Sequence, residues 1–327
     1  MNNHSLKTNK NILNKLFSFF KILPSQRNEA LRPVNGKTWI INGFSEFLGT
    51  FILSFALAGL SIYINKSVVE HYFLSKVFLG LFSGFGVVGV CMFIFLRWSC
   101  DLNPIISITK YLKGMHNGWY VSYKIFIQIL AGILAGIIVY LIGIKTSGQT
   151  QDGYTLANAP VDAINSTETL FKILNLNQIG KLYVGGTVIF CGELIMSMIL
   201  LFSIFSSTIK DKYRDVVTLF IISMAFWVGI LSGSAAINPV RGLAQQLPTL
   251  FVGNYSSEFM VSVTVATLAM ILGNLLSTVI YVFMQGFNEY FFNPMLHKII
   301  FWKNNSKSAF ITDQEYKQFL NSKEKNK

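Results

Sequence analysis

The chain of 327 residues is 52% hydrophobic and only 13% charged, with a mean hydropathy of +0.49, roughly half the charge density of an ordinary soluble domain. That balance argues against an aqueous fold and for a bilayer, because several nearly uncharged runs exceed the ~20 residues a helix needs to cross ~30 Å of hydrocarbon. The formal charge of +12 lies mostly outside those runs, which fits membrane topology and attraction to anionic lipid and argues against a nucleic-acid partner.

Residues 1–37 form a polar segment carrying Lys7, Lys10, Lys15, Lys21, Arg27, Arg32 and Lys37. Six apolar spans follow at about 38–64, 74–97, 120–144, 182–208, 215–233 and 259–286. Each is expected to be helical, since lipid leaves no water to satisfy exposed backbone groups. The first is too long and too far from the amino terminus for a cleaved signal peptide. Lys110 and Lys113, then Lys210, Lys212 and Arg214, then Lys298, Lys303 and Lys307 fall on every second connection or on the tail. By the positive-inside rule these are cytoplasmic, as are the tails 1–37 and 288–327. Phe17, Phe19, Phe20, Phe291, Phe292 and Trp302 are expected to anchor at the interface. The extracellular connection 145–181 is long enough to cover the outer mouth, and Asn165 in it begins an Asn-x-Ser/Thr triplet.

Two connections are too apolar for solvent loops and too short to span. One runs Arg97-Trp98-Ser99-Cys100-Asp101-Leu102-Asn103-Pro104 and on through Ile105; the other runs Ser234-Ala235-Ala236-Ile237-Asn238-Pro239-Val240-Arg241. Asn is a preferred helix N-cap and Pro is favoured at the first helical position, so each Asn-Pro step opens a short re-entrant helix. A third step, Asn293-Pro294, lies just beyond the last span and reads as an ordinary stop or start. Glu46 opens the first half (38–144) and Glu193 occupies the same place in the second (182–287). Three spans per half give the halves opposite orientations, an inverted repeat. The two half-helix N-termini then meet near the midplane, where irregular backbone requires a water-filled cavity, and both macrodipoles present positive ends there, disfavouring cations. Arg241 is an intramembrane cation and therefore a functional candidate. Arg97 is placed to neutralise Asp101.

With Glu46, Asn103-Pro104, Gln128, Glu193, Asn238-Pro239 and Arg241 in this order, residues 38–287 resemble the aquaporin and glycerol facilitator family. The paired Asn-Pro-Ala boxes of that family stand here as Asn-Pro-Ile and Asn-Pro-Val, so Ile105 and Val240 back the Asn amides with larger side chains. The resemblance implies an all-α membrane protein of six spans and two half-helices, a homotetramer in the plasma membrane, and passive flow of glycerol or water without cofactor or metal. It implies loop support by Glu46, Glu193 and Gln128. It places the selectivity filter on Arg241, Ser83, Phe226 and Ala235, with Ala225 and Ser234 as competing assignments because the Gly233–Asn238 stretch is one residue longer than usual. Gly242 stands where glycerol facilitators carry Asp, which leaves the solute open.

Two other readings stand beside the channel. Glu46 and Glu193 also fit proton carriers of an ion-coupled transporter, a reading disfavoured by the lack of further titratable residues joining them inside the spans. Occlusion by Ile105, Val240 or the tails would give a non-conducting membrane protein. Cys91, Cys100 and Cys191 suggest no disulfide framework, the four histidines have no metal-ligand spacing, and no motif for covalent chemistry is expected.

Overall fold

The computed structural model of the protein describes residues 12–64, 67–146, 156–158, 160–164, 178–207, 209–251, 256–308, 317–318 and 321. The triplet at Asn165 and most of the predicted outer connection lie outside the described residues.

The fold is built from helices. Helix α1 (Gly36–Gly59) starts on Asn35, whose side chain accepts the Thr38 N–H at 2.9 Å. Helix α2 (Lys76–Phe95) contains a wider π turn over Phe82–Val88. The short α3 (Pro104–Leu112) follows, then α4 (Gly118–Thr146), α5 (Gln178–Phe205), α6 (Asp211–Ser232), the short α7 (Pro239–Phe251) and α8 (Ser257–Phe287). Five stretches among the described residues are long and apolar enough to cross a membrane: Gly36–Gly59, Lys76–Phe95, Gly118–Thr146, Ile179–Phe205 and Ser257–Lys303. Helix α6, of 22 residues, reaches ~33 Å at 1.5 Å per residue.

The predicted first span runs to 64, but the helix stops at Gly59. The Ser61 hydroxyl and N–H both turn back onto the Ala58 carbonyl, and Tyr63–Ile64 (β1) then pairs antiparallel with Ser67–Val68 (β2). Asn293-Pro294 is no break either. The helical path continues from the π turn Asn288–Phe292 into α9 (Asn293–Ser308), and the five-residue spacing suits a proline that has no N–H to give to the preceding turn.

Two units are distinguished, residues 20–282 and the chain ends 1–19 with 283–327. In the unit of chain ends, Phe17 and Phe283 place their ring centroids 5.5 Å apart. In the larger unit α1 packs on α4, α2 and α5 each pack on α6, and α7 packs on α1 and α4. The halves are thus interlocked, the second short helix lying against two long helices of the first. Small residues permit that approach. A Cβ on Gly136 of α4 would come within 2.7 Å of the Ala244 carbonyl of α7, and one on Gly84 of α2 within 2.5 Å of the Leu219 carbonyl of α6.

Candidate functional site

The N-termini of α3 and α7 meet head to head. Asn103 accepts the Ile105 N–H through Oδ1 (3.1 Å) and donates through Nδ2 to the Ile237 carbonyl (2.7 Å). Asn238 does the same in mirror fashion, accepting from Val240 (3.1 Å) and Arg241 (3.3 Å) and donating to the Leu102 carbonyl (2.7 Å). Pro104 and Pro239 are the first helical residues of α3 and α7. One amide N–H of each Asn is engaged by these bonds, and an amide carries two. Ile105 is fully buried, and Val240 uses room left by Gly132, where a Cβ would fall 2.4 Å from Val240 Cγ1.

The residue before each Asn has a left-handed backbone, Leu102 at φ 51° and Ile237 at φ 44°. Such conformations cost about 1–3 kcal/mol in non-glycine residues and persist only where the surroundings over-determine them. The buried carboxylates do this here. Glu46 accepts the Asp101 and Leu102 N–H groups (2.9 Å each), the Ser99 hydroxyl (2.6 Å) and the Gln128 amide (2.8 Å). Glu193 accepts the Ala236 and Ile237 N–H groups (2.8 and 2.9 Å), the Ser234 hydroxyl and the Asn274 amide (3.0 Å). Sequence reasoning missed Ser99 and Asn274. For Ser99 the signal is positional: it stands four residues before Asn103 as Ser234 stands four before Asn238.

The first repeat also holds an ionic cluster that sequence reasoning did not find. Lys124 on α4 is 1% exposed and pairs with Glu46 (3.2 Å) and with Asp101. Asp101 further accepts the Ser107 hydroxyl (2.7 Å) and the ammonium of Lys110 (2.5 Å). The expected pairing of Asp101 with Arg97 is therefore replaced by Lys110 and Lys124. Nor is Glu46 without titratable neighbours inside the spans. Lys110, read as a topological charge, is part of the site.

Two cavities lie at this site, and both Asn residues line the smaller one. One of about 360 Å³ is lined by Leu79, Phe226, Ala235, Ala236, Arg241 and Gln245, and also by the charged Glu70, Lys76 and Asp162. The other, of about 200 Å³, is lined by Asn103, Asn238, Asp101, Lys110, Met92 and Thr218. Leu57, Phe226 and Ala236 line both. The Arg241 guanidinium carbon lies 5.6 Å from that ring's centroid. Ala235 is on the wall of the larger cavity, whereas the Ser234 hydroxyl is occupied by Glu193. Ala225 is buried and lines neither cavity. Ser83 is also buried and off both walls; its hydroxyl donates to the Leu79 carbonyl one turn back (2.9 Å), and Leu79 itself meets the cavity.

The arrangement gathers amide and backbone donors at one point, and the carboxylates nearest the Asn pair, Glu46, Glu193 and Asp101, are taken up by N–H groups, hydroxyls or cations. Among solved structures, the chain is similar to the aquaglyceroporin from Plasmodium falciparum, at 17% identity and a TM-score of 0.49 over 79% of this chain and 99% of that one. No family model and no curated protein sequence matches the chain.

Proposed function

We propose that the protein is a passive membrane channel for small uncharged solutes, glycerol and water first. Six helices (α1, α2, α4, α5, α6 and α8) span the bilayer, and α3 and α7 dip in from opposite faces. The observation that carries this reading is the reciprocal pair of bonds from Asn103 to Ile237 and from Asn238 to Leu102, on the wall of the smaller cavity. Two helix N-termini aimed at one point repel cations, and an amide that keeps one N–H for a passing hydroxyl favours neutral solutes. Arg241, Phe226 and Ala235 form the selectivity step, with Leu79 on the α2 side and Ser83 behind it, bonded to the Leu79 carbonyl. Glu46, Glu193 and Gln128 are scaffold, and Ile105 and Val240 set the depth of the amides. The chain ends lie in the cytoplasm, and the channel assembles as a homotetramer in the plasma membrane.

Stopped-flow measurement on proteoliposomes decides the matter. Downhill permeability to glycerol, water or both is expected, and intact protein that passes neither, nor urea, sinks the reading. A second reading gains support from the Glu46–Lys124–Asp101 cluster, which supplies titratable groups for a proton-coupled transporter. That reading requires uptake that collapses when the proton gradient is dissipated. Glu46→Gln also separates the two: a channel loses assembly or open fraction, a transporter loses coupling and keeps exchange.

A further inference from the structure

The two repeats support their short helices alike except in one layer. Two residues before the Asn, the first repeat has Asp101 and the second Ala236; one turn before the amide that bonds the central Glu, the first has Lys124 and the second Met270. Ala236 and Met270 are buried together in an apolar cluster. Asp101 and Lys124 are as deeply buried, but they are an ion pair. The same position in the fold is filled by apolar packing on one side and by salt on the other.

We infer that Lys124 is a positioning residue for Asn103, the buried counter-ion that fixes the loop before α3 onto α4. Asp101 donates its N–H to Glu46 and spreads its carboxylate over Lys124, Ser107 and Lys110, so one side chain ties the loop, the middle of α3 and its last turn together. Glu46, Asp101, Lys110 and Lys124 sum to zero charge. Lys110 reaches the smaller cavity and is 23% exposed, so water can share its charge, whereas Lys124 at 1% has no such recourse. Without Lys124 the neighbouring carboxylates of Glu46 and Asp101 keep one cation, Lys110, which contacts Asp101, and an uncompensated buried charge of the costly kind is left. The loop then gives way, and with it the bond from Asn103 to Ile237. Removing Asp101 together with Lys124 restores neutrality and reproduces the apolar pair of the second repeat.

The effect on flux rests on the channel reading above; the effect on the loop does not. The test uses full-length protein in proteoliposomes, as wild type, Lys124→Met, Asp101→Ala and the double variant, read by hydrogen exchange over residues 101–107 and by glycerol and water flux. Lys124→Met is expected to raise exchange over 101–107 by at least about tenfold and to lower flux. The double variant should return both to within about threefold of wild type, as two mutations in direct contact compensate one another. If Lys124→Met fails to accumulate as folded protein while the double variant does, the inference is upheld by that contrast. Wild-type protection in Lys124→Met, or a double variant no better than either single one, overturns it, as does failure of all three variants to fold. Wild-type protein that passes no solute refutes the channel, and the exchange pattern still decides the role of Lys124.

Discussion

Arg241 stands beside Phe226 on the larger cavity, and its Nε has no hydrogen-bond partner among the described residues. In the proposed channel that guanidinium is a rigid fork of donors for a neutral solute and a barrier to cations. Arg241→Ala is expected to admit polyols larger than glycerol and to raise proton leak by about tenfold or more, since a single fixed charge across a narrow, poorly solvated passage is worth at least ~1.4 kcal/mol at an effective dielectric near 20. Flux measured with a polyol series and an entrapped pH dye checks this, and unchanged selectivity removes Arg241 from the filter. Glu193→Gln probes the scaffold. The carboxylate accepts four donors, and an amide has one acceptor oxygen and an NH2 that meets donors head on. Each orphaned donor costs about 1–3 kcal/mol, so the thermal midpoint in detergent should fall by several degrees, with flux reduced in step. The Asn-Pro steps are legible in the sequence because capping is local chemistry: an Asn side chain and a ring without N–H declare a helix start wherever they stand. Lys124 is not legible, because a lysine near the end of an apolar run reads as one that snorkels to the interface. Only the fold carries Glu46 and Asp101 to it.

Among the elements, the segment before α1 is a strap as much as a tail. The Lys21 N–H donates to the Leu112 carbonyl, Leu31 donates its N–H to the Met115 carbonyl and accepts the Asn117 N–H, and Arg27 donates to the Tyr111 and His116 carbonyls at 2.7 and 3.1 Å while lying 3.7 Å from the Tyr111 ring centroid. These contacts occupy carbonyls at the C-terminal end of α3, where a helix leaves acceptors unsatisfied and a cation is favoured. Arg27→Gln should loosen the strap, seen as faster hydrogen exchange over residues 20–31, while Arg27→Lys keeps the charge but loses the fork and should fall between. A pH dependence follows at the same turn. Burial, reinforced by the Lys124 charge, holds the His116 imidazole down at about 4 against an ordinary 6.5. The folded form therefore binds fewer protons than the unfolded one below pH 6.5, and the stability it contributes is lost as pH falls from there toward 4. Protection of the strap should drop over that window in wild type and should not do so in His116→Gln. None of this is visible in a segment whose composition is simply polar and basic; the strap exists because α3 ends where residues 20–31 pass.

At the scale of the molecule, the long apolar helices are legible because hydrophobic length alone separates a span from a soluble helix, and the doubled Glu and Asn-Pro pattern discloses the repeat. Its boundaries and its filter are less so. Helix α1 ends at Gly59 through a serine turning back on its own helix, and Ser83 is buried against the Leu79 carbonyl and lines neither cavity, two outcomes of packing that no residue pattern encodes. The proposed channel requires the two cavities to open on opposite faces of the membrane. Lys110, Arg214 and Asp215 line the smaller cavity and Asp162 the larger, and the positive-inside rule assigns the first group to the cytoplasm. In a background with Cys91, Cys100 and Cys191 replaced by serine, Asp215→Cys and Asp162→Cys place single thiols on the two walls. An impermeant thiol reagent added outside intact cells should label Asp162→Cys and spare Asp215→Cys until the membrane is opened. Labelling of both from one side would mean that the cavities share a face, and then α3 and α7 could not enter from opposite sides, nor could a solute cross by passing from one chamber to the other.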